Sequence, residues 1–350
     1  MARTSKTSLL RSFLGLAVCF AIASGNACAK ALNGRDGSEA NRGTGILTPD
    51  SVADAHGFLS AFDGTCLFYR YWTASLPDPP QAVVLVLHGI GAHSGPFKMI
   101  GDALTQRGFV VYALDTRGHG FSCGKREDVP NETTETQDIE TMVQFLHRSY
   151  PGSRIFLLGY SMGGIFALNY ASEEHSEIAG LVLIAPVVQL SAKQEILTVT
   201  RNPLLIPCAM FCASKPVVSL TQDRLPPDLH ARGLILQLRS DPIAYRKVSA
   251  RYIWHLARET RGWNKHAAPR VDIPTLIVRG DADSVVPMKA CQKLLTLLPT
   301  SDKELEKFRN VPHTALWSPE TPAILERVGD WVTARDGAKK LPRDNFGDAQ

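Results

Sequence analysis

Five apolar runs spaced along the chain constrain its fold more than any other feature of the sequence. They are AVVLVLHG (82–89), FVVYALD (109–115), RIFLLGY (154–160), IAGLVLIAP (178–186) and TLIVRG (275–280). Runs that are apolar at almost every position predict strands buried on both faces. Such strands occur in parallel sheets that carry helices on both sides.

Segments with helical periodicity separate these strands. They cover 97–107, 136–148, 162–171 and 289–298, and the last one, PAILERVGDWVTAR, covers 322–335. A hairpin with its turn at Asp63-Gly64 is predicted over 57–72, and KELEKFRN leads into the last strand. Strands and helices that alternate in this way predict an α/β fold with a mostly parallel central sheet and helices on both faces.

The alternation stops between 187 and 263, where prolines and helical periodicity replace buried strands. The stretch SDPIAYRKVSARYIWHLARE within this region predicts an amphipathic helix. We therefore expect one α/β domain formed by 56–186 and 264–336, with 187–263 inserted as a helical cap or lid. A linker at 30–55 and a loose C-terminal tail at 337–350 are expected to flank it.

The first 29 residues have the parts of an export signal. Three basic residues precede an apolar run at 13–23, the segment contains no acid, and an Ala-x-Ala cleavage site ends at Ala29. The apolar run is shorter than the roughly 20 residues that cross a bilayer. We expect a cleaved signal peptide and an exported protein, secreted or periplasmic. Lipid attachment at Cys28 and an uncleaved membrane anchor are the alternatives.

Charge and cysteine content exclude other classes of protein. The 350-residue chain has a formal net charge of +4, and three of its positive charges lie in the N-terminal segment, so no nucleic-acid partner is expected. The chain has seven cysteines, of which five would remain after cleavage at Ala29, and this odd number at scattered positions does not predict a disulfide framework. Cys208 and Cys212 are four residues apart and could pack together or form a local disulfide. No spacing matches a zinc site.

The run RIFLLGYSMGGIFALNY contains Gly159, Ser161 and Gly163 in a G-x-S-x-G pattern. This pattern has chemical meaning where a strand precedes it and a helix follows, because the serine then lies on a sharp turn at the end of the strand. Both conditions are met here. Ser161 is therefore predicted to be a nucleophile rather than part of a plain strand–helix turn.

A serine nucleophile needs a histidine base and a carboxylate that orients the histidine, in the chain order Ser, acid, His for this type of sheet. His313, in NVPHTALW, follows the last predicted strand. TLIVRGDADSVVP supplies Asp281 and Asp283 after a strand, at the sheet edge where active sites gather. Gly280 ends that strand and the loop needs room to bend, which favours Asp283 over Asp281.

Acyl transfer also needs N–H donors for the oxyanion that forms on attack. The backbone N–H of Met162, directly after the serine, is one candidate, and the loop HGIGAHSG (88–95) offers the other at Ile90. His88 and His93 precede the serine in the chain, so structural roles are expected of them. The triad and the two donors complete the chemistry, so no metal or organic cofactor is expected.

Six motifs, in this order and spacing, resemble the monoacylglycerol lipase / lysophospholipase group of serine hydrolases. They are VLVLHGIGAHSGPF, YALDTRGHGFSCGKRE, FLLGYSMGGIFALNYA, SDPIAYR, PTLIVRGDADSVVP and VPHTALW. The resemblance covers about 62–331 and implies an α/β-hydrolase fold with a helical cap, a triad of Ser161, Asp283 and His313, and the two oxyanion donors named above. Ala92 departs from the pattern, because the group usually carries an acid there. The export signal is not typical of the cytosolic members.

The expected activity is the hydrolysis of carboxylic esters of single-chain lipids, such as monoacylglycerols or lysophospholipids, through an acyl-enzyme on Ser161. The insertion is expected to cover the site and to make transient contact with a membrane surface. Alternatives on the same scaffold are an acyltransferase, a general carboxylesterase and a peptidase. A non-catalytic lipid-binding protein is the alternative from another class, and the intact Ser, Asp, His order disfavours it.

Overall fold

The computed structural model describes residues 55–73, 80, 82–126, 128–129, 133–173, 177–190, 210–219, 241–244 and 247–336. The predicted export signal, the predicted linker except its last residue, the predicted tail and Cys208 lie outside these residues. No helix in the described part of the chain is long and apolar enough to span a membrane.

The structure gives the bounds of ten strands and six α-helices in the described ranges. The strands are β1 (Ala55–Ser60), β2 (Cys66–Trp72), β3 (Ala82–Leu87), β4 (Val110–Leu114), β5 (Arg154–Tyr160), β6 (Gly180–Ile184), β7 (Pro216–Ser219), β8 (Lys247–Ser249), β9 (Thr275–Gly280) and β10 (Lys303–Phe308). The helices are α1 (Lys98–Thr105), α2 (Thr134–Ser149), α3 (Met162–Ala171), α4 (Ala250–His266), α5 (Met288–Leu297) and α6 (Thr321–Asp336). The five predicted apolar strands and the five predicted helices of the α/β domain are therefore confirmed.

Eight strands form one sheet in the order β1-β2-β4-β3-β5-β6-β9-β10. The pairs β1/β2 and β2/β4 are antiparallel, and the other neighbours are parallel. The predicted hairpin is β1 and β2, and its turn residue Gly64 has a φ of 82°, which glycine adopts without strain. The mostly parallel sheet predicted from the apolar runs is confirmed.

Each face of the sheet carries its own apolar core. On β3, Leu85 and Leu87 belong to one cluster of buried residues, and Val84 and Val86 belong to the other. Helices α2, α3, α4 and α5 contribute to the first cluster, and α1 and α6 contribute to the second. Because both faces are covered, every position of β3 is buried and the strand reads as a continuous apolar run.

The described part of the insertion differs from the purely helical prediction. Strands β7 and β8 pair with each other in an antiparallel ladder, and Val218 and Val248 on them are buried. The expectation that this region lacks a buried strand was wrong. Strands of four and three residues are too short to show a periodic pattern in the sequence.

Helix α4 begins later than the helix predicted from SDPIAYRKVSARYIWHLARE. Ser249 caps it, because its Oγ accepts the Tyr252 N–H at 3.0 Å. Tyr252, Leu256 and Trp263 are buried in the cluster on the first face of the sheet, where α4 packs against α3. The helix continues past the predicted boundary at 263, so the end of the predicted insertion is part of the layer that covers the sheet.

Candidate active site

Ser161 lies on a sharp turn between β5 and α3. Its φ of 53° and ψ of −115° are unusual for a residue with a side chain. Backbone hydrogen bonds hold this conformation, since the Ser161 N–H donates to Ile184 O at 2.9 Å and Ser161 O accepts from Val187 N–H at 2.9 Å. The predicted strand–turn–helix context of the G-x-S-x-G pattern is confirmed.

The two glycines of this pattern are required by packing. A Cβ on Gly159 would lie 2.4 Å from the Gly163 carbonyl oxygen. A Cβ on Gly163 would lie 2.3 Å from the Leu87 carbonyl oxygen at the end of β3. Only glycine fits at either position. The two glycines therefore allow the turn to pack closely against the end of β3.

A continuous hydrogen-bonded chain joins Ser161, His313 and Asp283. Ser161 Oγ lies 2.9 Å from His313 Nε2, and His313 Nδ1 lies 2.9 Å from Asp283 Oδ2. All three residues are buried. Because a carboxylate only accepts, His313 Nδ1 carries the proton and Nε2 can accept the one on Ser161 Oγ. This tautomer is the one that a general base acting on the serine requires.

The Asp283 carboxylate is fixed from its other side. Its Oδ1 accepts the backbone N–H groups of Val285 at 2.8 Å and Val286 at 2.9 Å. Burial acts to raise the pKa of Asp283, but the charge and hydrogen bond of His313, the backbone N–H of Val286 and the charge of Arg279 together hold the pKa below the usual range. Asp283 is therefore ionised at neutral pH and can stabilise a charged imidazole.

Asp281 has a different contact. Its Oδ1 accepts the backbone N–H of Asn310 at 2.6 Å, in the turn after β10, and its side chain is exposed. It therefore joins the loops after β9 and β10. Of the two candidate aspartates, the structure brings Asp283 to His313.

The loop after β3 lies beside the serine. A Cβ on Gly89 would be 3.3 Å from Ser161 Cβ, and Ile90 follows directly. His88 supports this loop, because its Nδ1–H donates to Gly89 O at 2.8 Å and its Nε2 accepts the Thr116 N–H at 3.1 Å. Burial lowers the pKa of His88 to about 4, so the ring is neutral and can both donate and accept.

Met162 is the first residue of α3, so its N–H has no carbonyl acceptor within the helix. The candidate donors Met162 and Ile90 thus belong to the two segments that flank Ser161. The predicted structural role of His93 agrees with its contacts: it is buried, and its Nε2 lies 2.5 Å from Asp241 Oδ2.

Two polar residues that were not predicted from the sequence contact the loop after β3 and the start of α3, the segments that carry the candidate donors Ile90 and Met162. Asp241 belongs to the SDPIAYR motif but received no role. Tyr252 lies in the predicted amphipathic helix, and its hydroxyl donates to Met162 Sδ at 2.9 Å. Helical periodicity predicts that such residues lie on the buried face of a helix. It does not predict which residue of another segment each of them contacts.

The sheet order, the strained serine after β5 and the buried Ser–His–Asp chain define an α/β-hydrolase of the serine type. Residues 78–320 match the family model described as "Serine aminopeptidase, S33" (Hydrolase_4), and the chain belongs to this family. The resemblance to the monoacylglycerol lipase / lysophospholipase group is confirmed by the relatives that follow.

The chain is 30% identical over 301 residues to the monoglyceride lipase of Homo sapiens, covering 82% of this chain and 94% of the relative. It is 27% identical over 293 residues to the monoacylglycerol lipase of Mycolicibacterium smegmatis, covering 81% and 98%. Among solved structures, a soluble variant of the Saccharomyces cerevisiae monoglyceride lipase in complex with a substrate analog superposes with a TM-score of 0.68 at 22% identity, covering 84% of this chain and 98% of that one. This structural likeness supports the fold.

Proposed function

We propose that this protein is a serine hydrolase that cleaves carboxylic esters of single-chain lipids, of the monoacylglycerol or lysophospholipid type. The observation that carries the proposal is the buried hydrogen-bonded chain from Ser161 through His313 to Asp283. The relatives named as monoglyceride lipases support the substrate class, since the alignments span nearly the whole of those proteins.

The reaction begins when Ser161 Oγ attacks the ester carbonyl and His313 Nε2 takes the hydroxyl proton. Asp283 stabilises the imidazolium that forms, and the N–H groups of Met162 and Ile90 bind the oxyanion. His313 then gives its proton to the leaving alcohol, which departs and leaves an acyl-enzyme on Ser161. A water molecule, activated by the same histidine, releases the fatty acid and restores the serine.

The family description names an aminopeptidase, so amide hydrolysis is the contrast to test. The lipase relatives favour esters. We expect rapid turnover of a monoacylglycerol or a long-chain p-nitrophenyl ester and no turnover of an aminoacyl p-nitroanilide. The reverse preference would replace the lipase assignment by a peptidase while keeping the same triad.

The central experiment is labelling with a fluorophosphonate probe, which reacts with activated serines. Wild type is expected to take up one label, and Ser161→Ala is expected to take up none while keeping the thermal midpoint of a folded protein. If folded wild type took up no label, the assignment of Ser161 as an active nucleophile would be refuted. Rates on p-nitrophenyl esters from acetyl to palmitoyl then test the acyl preference, and equal rates would count against an apolar acyl site.

Exposed apolar side chains on the described part of the insertion support the proposed contact with a membrane surface. Met210, Phe211 and Trp254 are 71%, 84% and 64% exposed. The segment that carries the first two touches the start of α4, because the Ala213 carbonyl accepts the Arg251 N–H at 2.7 Å. Such a surface is suited to a lipid interface, where single-chain esters reside. Phe211→Ser with Trp254→Ser should weaken sedimentation with phosphatidylcholine vesicles and leave turnover of a water-soluble ester unchanged.

Export through residues 1–29 is also part of the proposal and rests on the basic, apolar and small-residue pattern of that segment. Intact-mass measurement of the exported protein separates the cases. A mature chain that begins at Lys30 supports cleavage, a mass that includes a lipid on Cys28 supports the lipoprotein alternative, and a full-length mass supports the uncleaved anchor.

A further inference from the structure

Two buried polar side chains in the last part of the insertion contact the loop after β3 and the start of α3, the two segments beside Ser161. Asp241 contacts His93 in the loop after β3, and Tyr252 contacts Met162 at the start of α3. These are the segments that carry the two proposed oxyanion donors. Asp241 and Tyr252 therefore contact the two segments that form the proposed oxyanion hole.

The contact of Asp241 fixes the loop after β3. His93 Nδ1 accepts the Gly95 N–H at 3.1 Å, so Nε2 carries the proton that it donates to Asp241 Oδ2 at 2.5 Å. Asp241 Oδ1 accepts the Ile243 N–H at 2.9 Å, which sets the direction of the carboxylate. The loop is wrapped closely around the imidazole, since a Cβ on Gly95 would lie 2.6 Å from His93 Cε1. A shift of the His93 ring would therefore carry the loop with it.

The contact of Tyr252 fixes the other side. Its hydroxyl lies 2.9 Å from Met162 Sδ, and both residues are fully buried. The tyrosine is itself held by Ser249, whose Oγ accepts the Tyr252 N–H and donates to Asp128 Oδ1 at 2.6 Å. The first turn of α4 is thus tied to the sheet domain at the point where it supports Met162.

We propose, on the basis of the proposed ester hydrolase function, that Asp241 and Tyr252 are positioning residues that align the Ile90 and Met162 N–H groups toward the oxyanion. Hydrogen-bond donors act on an oxyanion only at about 2.7–3.1 Å, and a displacement of about 1 Å costs roughly 100-fold in rate. The oxyanion exists only in the transition state and the intermediate. Loss of alignment therefore lowers kcat and leaves KM nearly unchanged.

The experiment compares Asp241→Ala and Tyr252→Phe with wild type on a p-nitrophenyl ester and on the matching thionoester. Sulfur accepts N–H hydrogen bonds poorly, so the thionoester gains little from the oxyanion hole. We expect Asp241→Ala to lower kcat on the ester by about 10- to 100-fold and Tyr252→Phe by about 3- to 10-fold. Each variant should lower kcat on the thionoester less than kcat on the ester, so that the ratio of the two kcat values falls. KM should stay within about twofold of wild type.

Glu259→Gln is the matched control. Glu259 is also on α4 and also accepts a hydrogen bond from the sheet domain, but from Asn169 near the end of α3 rather than from a donor segment. It should leave both rates within about twofold of wild type. Equal loss on both substrates, no loss in either variant, or the same fall in the ratio for Glu259→Gln would overturn the proposal.

The design separates this proposal from the proposed function. If folded wild type hydrolyses neither substrate and takes up no fluorophosphonate, the hydrolase function itself fails. If wild type is active and the two variants keep its ester-to-thionoester ratio, only the positioning role fails. Should Asp241→Ala fold poorly, Tyr252→Phe, which removes a single oxygen atom, decides the result by the same ratio.

Discussion

Replacement of Asp283 by asparagine tests the chemistry of the site most directly. The backbone N–H groups of Val285 and Val286 both point at one oxygen of this side chain, so the carbonyl oxygen of an asparagine would stay with them. Its NH₂ group would then face His313 and donate to Nδ1. The proton of the imidazole would move to Nε2, where the ring can no longer accept the hydroxyl proton of the serine.

The size of the effect follows from the 2.9 Å contact between His313 Nδ1 and Asp283 Oδ2. Opposite charges centred about 4 Å apart attract by about 4 kcal/mol at the effective dielectric of a protein, which is about a 10³-fold effect on rate. The wrong tautomer adds to this loss. We therefore expect kcat to fall by about 10⁴-fold, as for the same change in serine proteases of another fold.

The assay is steady-state hydrolysis of a p-nitrophenyl ester by purified protein, with thermal unfolding to show that the variant is folded. Asp281→Asn is the matched control, because Asp281 contacts Asn310 rather than His313, and its kcat should stay within about twofold of wild type. If a folded Asp283→Asn variant kept a tenth of the wild-type kcat, or if Asp281→Asn produced the large loss, the assignment of the acid would be refuted.

Three further predictions concern stability. Gly163→Ala places a methyl group 2.3 Å from the Leu87 carbonyl and should lower the free energy of unfolding by about 1–3 kcal/mol in urea titrations; an unchanged midpoint would contradict the close packing. Arg117→Met removes the bidentate partner of buried Asp138 and should cost about 3–5 kcal/mol, with partial recovery in Arg117→Lys. Folding lowers the pKa of His88 from 6.5 to about 4, so as the pH falls the unfolded chain takes up a proton on this residue before the folded chain does. His88 should therefore lower the free energy of unfolding by up to about 3 kcal/mol as the pH drops from 6.5 to 4. His88→Gln should flatten that pH dependence, and a curve of wild-type slope would show that another group causes it.

The sheet could be predicted closely because strands that are buried on both faces are apolar at almost every position, and such runs are visible in the sequence. Each of the five apolar runs corresponds to a strand, and β5 and α3 have the predicted bounds on either side of Ser161. The two short strands β7 and β8 could not be predicted, because each has only three or four residues and they pair across distant segments of the chain.

The candidate triad was predictable for a different reason. Chain order limits the base to His313, and the room required after Gly280 favours Asp283, whose loop packs so closely that a Cβ on Gly280 would lie 1.8 Å from Val311 O. The partners of buried polar residues were not predictable. His93 and Asp241 are 148 residues apart, and only the packing of the insertion on the sheet domain brings them together.

Helix α4 has a practical consequence for building chimeras with other caps. The helix belongs to the insertion by chain order, yet its buried residues Tyr252, Leu256 and Trp263 complete the layer on the sheet. A graft that replaced everything between β6 and β9 would remove α4 and expose part of one face of the sheet. Helix α4 should therefore be kept with the recipient, together with β7 and β8, because these two strands pair with each other and Val218 and Val248 are buried in the same cluster.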